Sequence, residues 1–312
     1  MEFFNNPNVD FIKSRYFFFI LSVISFILGI ALVFISNINM GIDFVGGTEL
    51  QVAFEQPINI DQIRSAIEKN GIEDSEIKTF GKDSQYLIRV KENNTNDSKV
   101  SATVMNILTK EFPGHQAKKI GENSIGPKVG KEMRTQAIIA VILAVVAIML
   151  FVAFRFEWVY GLGAMISIVH DVVFTFGLVL FVGKLGIINV QFDQTMLAAL
   201  LTVIGYSIND TVVIFDRIRE NKDIHKGMEI RKLINLSMNE TLSRTINTGM
   251  SVIVVLGIMV FTAGPVLQGF CFTMLIGIIV GTYSSIYVAS SYVIYVVEKK
   301  LVKEQNLAIG HK

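Results

Sequence analysis

Six stretches of this chain stay apolar for long enough to cross a bilayer, and no other feature limits the fold as tightly. A helix rises about 1.5 Å per residue, so a hydrocarbon core of roughly 30 Å needs about 20 apolar residues. The stretches are Phe17–Ile35, Gln136–Phe154, Tyr160–Val182, Met196–Phe215, Thr245–Val266 and Phe270–Val297. With 51% hydrophobic and 18% charged residues among 312, the chain is too apolar for an ordinary soluble domain. No basic tract of the nucleic-acid-binding kind occurs. The single cysteine, Cys271, rules out an intramolecular disulfide and a cysteine-based metal or redox site, and in its apolar stretch it reads as a small buried hydrophobe.

Charge placement orients the spans. Lys13 and Arg15 precede the first, which puts the N-terminus in the cytoplasm, and no Ala-x-Ala-like site follows, so the segment is expected to be an uncleaved anchor. Arg155, then Arg217, Arg219, Lys222, Lys226, Arg231 and Lys232, and finally Lys299, Lys300 and Lys303 fall on that same side. The other side holds Lys184 in its short loops, while Lys128, Lys131 and Arg134 run against the rule beside a folded domain, where the bias is weak. The expected organisation is a cytoplasmic N-terminus (1–16), a first span (17–35), a periplasmic domain (36–130), five further spans (131–298) and a cytoplasmic C-terminus (299–312). Within 216–244, Ile230, Leu233, Ile234, Leu236 and Met238 alternate with charges at helical spacing, which predicts an interfacial helix over Ile224–Ser243.

The domain between the first two spans has the pattern of a small α+β unit. Thr48–Phe54 alternates as a half-buried strand, and Asn59 or Asp61 caps a helix carrying Ile60, Ile63 and Ile67 that Gly71 stops. Glu76–Phe80 and Gln85–Val90 form a hairpin across Gly81-Lys82-Asp83. A second helix opens at Asp97 and ends before Pro113-Gly114, and a last strand lies within His115–Asn123. The order βαββαβ is that of a ferredoxin-like domain. Asn93-Asn94-Thr95 has glycosylation-acceptor spacing, but a bacterial-type membrane protein has little use for it.

Two glycine clusters flank this domain: Gly41, Gly46 and Gly47 in GIDFVGGTEL, and Gly126 and Gly130 in GPKVGKE. Neither is a phosphate cradle, because the first lacks a Lys-Ser or Lys-Thr and the second lacks a spacer and the metal-holding hydroxyl. A tight turn and a mechanical hinge both need the positive φ that glycine allows, and both readings stand.

The polar residues inside the spans carry the chemistry. In AALLTVIGYSINDTVVIFDRIREN, Ala198 to Asn221, Asn209 and Asp210 sit within an otherwise apolar run, beside Ser207. A carboxylate there costs at least roughly 2.5 to 3.5 kcal/mol to insert, so it marks a functional position. Asp210 lies about 9 Å from the cytoplasmic end of its span by helical rise, and Arg244 at the start of the next span can reach inward to it. An arginine that moves by a few ångströms would switch such a carboxylate between holding and releasing a proton, whereas a fixed buried salt bridge is the plainer alternative. His170 and Asp171 lie near the middle of the third span, either as a hydrogen-bonded pair joining helices or as part of a proton path. No Gly-x-Ser-x-Gly, His-Glu-x-x-His or paired-cysteine motif occurs, so neither an enzyme nor a cofactor or metal site is expected.

Taken together, GIDFVGGTEL, GPKVGKEM, FRFEWVYGLGAMISIVHDVVFTFG, the Ala198–Asn221 stretch and ETLSRTINTGM stand in the order found in the SecD/SecF protein-export family of the resistance-nodulation-division superfamily, whose SecF members this chain resembles. The resemblance implies proton-motive-force-driven assistance to Sec-dependent export across the bacterial inner membrane. It also implies a pairing with SecD, contact with the SecY, SecE and SecG channel and with YajC and YidC, and translocating preproteins as clients. By the same resemblance Asp210 matches the family's proton-passing carboxylate, Arg244 matches its regulating arginine, and a second relay carboxylate belongs to SecD. The alternatives are a proton-coupled efflux half-transporter of the same superfamily and a non-conducting structural subunit.

Overall fold

In the computed structural model of the chain, residues 7–36, 38–72, 75–80, 82–90, 97–188 and 190–310 are described. The Asn93–Thr95 sequon lies outside them. In chain order the elements are α1 (Arg15–Ser36), α2 (Ile42–Val45), β1 (Gly47–Ala53), α3 (Ile60–Lys69), β2 (Ser75–Phe80), β3 (Lys82–Val90), α4 (Asp97–Glu111) and β4 (Lys118–Ile125). The remaining helices are α5 (Pro127–Arg155), α6 (Trp158–Lys184), α7 (Gln194–Ile224), α8 (Ile230–Thr262), α9 (Pro265–Ser284) and α10 (Ser290–Gly310), with a π-helical turn, Ser285–Ala289, joining the last two.

The sheet domain follows the expected order. Its strands run β2-β3-β1-β4, all antiparallel. Alternation in β1 sends Leu50 and Val52 to one face, where they meet Ile63 and Ile67 of α3 and Val104 and Leu108 of α4 in a closed core. Asn59 caps α3 by accepting the Asp61 N–H at 2.8 Å. The opposite face, with Glu49, Leu87 and Arg89, looks onto the end of the helix bundle across a cavity of about 150 Å³ that Gln191, Asp193 and Thr195 close from the other side.

Six helices among the described residues are long and apolar enough to span a membrane. The sixth is α9, the π turn and α10 running on as one rod. Small residues set how closely the helices pack. A Cβ on Gly177 of α6 would stand 2.3 Å from the Gly29 carbonyl of α1, and one on Gly277 of α9 would stand 2.2 Å from Val203 of α7. These two crossings draw α1 and α9 tightly against α6 and α7.

Two expectations fail here. The segment 216–244, expected on the cytoplasmic side, is not a separate interfacial helix: its first residues finish α7, and α8 runs unbroken from Ile230 to Thr262. No proline or glycine interrupts Ile230 to Asn247, so the change from charged to apolar residues marks a change of surroundings along one helix rather than its end. Positive φ is likewise taken by Gly46 (80°) and Gly47 (140°), while Gly41, Gly126 and Gly130 do without it. Gly126 caps α5 with Pro127 in its first turn, and Gly41 and Gly130 are needed for close approach. A Cβ on Gly130 would stand 2.8 Å from the Gly46 nitrogen, so the two glycine clusters pack directly on each other.

Candidate functional site

Ser207, Asp210, Thr211 and Ile214 recur at three- and four-residue spacing along α7 and form its buried face, while Gly205 and Asn209 lie exposed on the other. Asp210 is 2% exposed, and its Oδ2 accepts a hydrogen bond from Thr282 Oγ1 of α9 at 3.3 Å. Arg244 does not meet it. Among the described residues no ion pair within 4.0 Å joins them, because Asp210 turns inward to α9 and Arg244 stays exposed on α8 near Asn247 and Thr248. The expected salt bridge is therefore open in this conformation.

Asp171 of α6 lies deeper in the polar core, 1% exposed. Its Oδ2 accepts from Ser207 Oγ of α7 at 2.6 Å and from Ser284 Oγ of α9 at 2.7 Å, and its Oδ1 faces His170 Nδ1 at 3.0 Å. His170 Nε2 in turn lies 2.9 Å from Ser25 Oγ of α1. Of the residues singled out in the sequence, Asp210, Ser207, Asp171 and His170 thus share one polar core, and Arg244 and Asn209 lie outside it.

The organising element is the end of α9. Four successive residues there reach four different targets: Thr282 to Asp210, Tyr283 to Ser22 of α1 at 2.7 Å, Ser284 to Asp171, and Ser285 to Thr211 of α7 at 2.8 Å. Successive helical residues point about 100° apart, so only a helix surrounded by others can do this. The π turn begins at Ser285, and such turns gather at functional sites. Sequence reading missed this cluster, since serine and threonine occur in most of the spans; its one visible signal is the run Thr282-Tyr283-Ser284-Ser285 itself.

On the sheet-domain side a second polar cluster joins domain and bundle. The Glu76 carboxylate accepts from Asn39 at 2.9 Å, from Gln191 at 2.9 Å and from Arg89 at 3.2 Å. Burial pushes this carboxylate up, but Lys78, Arg89 and Asn39 outweigh that and hold it below its ordinary 4.5. The chain after α1 is strapped to the same loop, with Gly41 N–H donating to Phe192 O at 3.0 Å and Gln194 N–H donating to Asp43 at 3.1 Å.

A bundle of this kind, with a hydrogen-bonded ionisable core and a folded domain inserted between its first two spans, defines a multi-pass membrane protein whose interior polar groups mark a candidate functional site. The family model for the protein export membrane protein SecD/SecF, C-terminal, matches residues 103–299, and that for the SecD/SecF GG motif matches residues 33–58. The chain is 42% identical over 265 residues to the protein translocase subunit SecF of Desulfurispirillum indicum, covering 83% of this chain and 82% of that one. It is 39% identical over 293 residues to the subunit of the same name from Calditerrivibrio nitroreducens, covering 93% and 94%. A crystal structure of SecDF, a translocon-associated membrane protein from Thermus thermophilus, superposes with a TM-score of 0.82 at 30% identity, over 94% of this chain and 39% of that one. The chain belongs to the SecD/SecF protein-export family.

Proposed function

We propose that this chain is the SecF-type accessory subunit of a Sec translocase, working with SecD to couple the proton gradient to protein export across the bacterial inner membrane. The observation that carries the reading is Asp210, a carboxylate 2% exposed in the interior of a spanning helix with, among the described residues, the Thr282 hydroxyl as its hydrogen-bond partner. A carboxylate so placed is expensive to keep charged, so gaining and losing a proton there changes the energy of the bundle. One charge crossing about 100 mV is worth roughly 2.3 kcal/mol, enough to shift a two-state equilibrium by tens of fold.

The pairing with SecD has its own support. Asn209, Arg244, Asn247 and Thr248 form an exposed polar strip inside two spans, and polar groups at that depth are stable against another protein's helices rather than lipid tails. The chain spans 39% of the SecDF chain it superposes on, which leaves room there for a second bundle. In this reading both termini are cytoplasmic and the sheet domain faces the periplasm. Asp210 carries the proton, Arg244 approaches it in another conformation, and the subunit hydrolyses no nucleotide: the GPKVGKE stretch is the opening of α5, packed on Gly46.

The test is preprotein export into vesicles holding this chain with SecD, under proton and sodium gradients imposed separately. Asp210→Asn should assemble normally and lose at least about ten-fold of the gradient-driven stimulation, equivalent to about 1.4 kcal/mol. Undiminished stimulation in that variant and in Arg244→Ala would establish a purely structural subunit instead.

A further inference from the structure

His170 and Asp171 are not needed for the reading of Asp210, yet their hydrogen bonds have a consequence of their own. Ser25 Oγ lies 2.9 Å from the Ser22 carbonyl and 2.9 Å from His170 Nε2. A hydroxyl has one proton, so Ser25 either donates to the ring or, with its proton on the carbonyl, accepts from an Nε2 that carries hydrogen, and the second arrangement satisfies the carbonyl and the ring together. On the other side of the ring, Nδ1 faces Asp171 Oδ1 at 3.0 Å, and two bare acceptors do not sit at that distance. Oδ2 is already occupied by the Ser207 and Ser284 hydroxyls, of which Ser284 also accepts from Ser167 at 2.8 Å.

We infer that His170 and Asp171 form a second proton-holding site, separate from Asp210, with one proton on the line between His170 Nδ1 and Asp171 Oδ1. The proton sits on the imidazole or on the carboxyl, and in either form the pair is uncharged overall. The surroundings agree with a neutral pair. Asp171 is ion-paired among the described residues with His170 alone. From α1 the ring meets Ser25 and Phe26, from its own helix Phe174, and from α9 the phenol of Tyr283, whose hydroxyl is engaged by Ser22 Oγ and donates to the Phe18 carbonyl. From α7 the carboxylate meets Ser207, one turn before Asp210. When the proton leaves, a lone carboxylate remains among serines of α7 and α9, and Ser25 of α1 must turn to donate to the ring. Departure of the proton thereby changes the hydrogen bonds that join α1, α7 and α9 to α6.

A role for this site in transport rests on the proton-coupled reading above, whereas the protonation does not, and two measurements keep them apart. Full-length chain with ¹⁵N-labelled histidine is placed in lipid bilayers near neutral pH, and His170 is assigned by the signal lost in His170→Gln. A protonated Nε2 with Nδ1 in a strong shared hydrogen bond is expected. A neutral ring with hydrogen on Nδ1 and a bare Nε2 overturns the site, because the pair is then an ordinary structural contact. In vesicles with SecD, Asp171→Asn should assemble and lose at least ten-fold of gradient-driven stimulation, and full stimulation overturns the transport role. Loss of the proton-coupled reading through an active Asp210→Asn would leave the ¹⁵N result standing.

Discussion

Tyr86 shows how one hydroxyl secures the sheet domain. It is 1% exposed, accepts the Ile58 N–H at 2.8 Å and donates to a carbonyl of the same segment, so it completes the turn that leads into α3. Tyr86→Phe keeps the ring and strands both backbone groups, which costs about 1–3 kcal/mol. Hydrogen exchange of the β1 and β3 amides in the full-length protein should quicken by about ten-fold or more, since about 1.4 kcal/mol is ten-fold. Glu76 acts at the same scale with a pH signature. Its carboxylate is held below 4.5 in the folded protein, so its contribution is present above the ordinary value and is lost as pH falls through the lowered one. Spin labels on Lys118→Cys and Ile187→Cys should report one sheet-to-bundle distance at neutral pH and a broadened one once the pH has fallen through the lowered Glu76 value. Glu76→Gln should broaden it at neutral pH as well.

At the scale of elements, the crossing of α1 and α6 depends on bare backbone. Gly177→Val would force a side chain into the Gly29 carbonyl, and the two helices would have to part. Overpacking of this kind costs about 1–3 kcal/mol, and a lower unfolding temperature in detergent should show it. Gly257→Ala in α8, where nothing lies within 4 Å, should leave that temperature unchanged. What was legible beforehand follows the same division. The spans and the βαββαβ order could be read because each rests on a period or a cap within a few residues, as with Leu50-x-Val52 or Asn59. The unbroken α8 could not, since its charged first half and apolar second half have two compositions and one backbone. The glycine clusters are visible in the sequence, but close approach cannot be told from positive φ there, and only Gly46 and Gly47 of the five take positive φ. Of the polar core, Asp210, Asp171 and His170 stood out by cost. Ser25, Ser167 and Ser284 did not, because a serine is common in a membrane helix and only the packing of α1, α6 and α9 selects those that matter.

For the molecule as a whole, the two polar clusters lie at the ends of one mechanical connection. The loop that holds Gln191 and Phe192 grips the sheet domain and leads directly into α7, which carries Ser207 and Asp210. In the proton-coupled reading proposed above, a displacement of that domain would pull on the helix that carries Asp210, and a change at Asp210 would pull on the domain in turn. The packing of Gly46 on Gly130 adds a property of another sort. Gly47 pairs with Ile125 in the sheet, so the chain enters and leaves the domain at adjacent points. Neighbouring strand residues stand about 5 Å apart, little more than one peptide step. In genetic terms, a change in the length of the coding segment between these points leaves the spacing of the flanking spans unaltered, while Glu76 and its partner Gln191 tie the evolution of the domain face to that of the loop before α7.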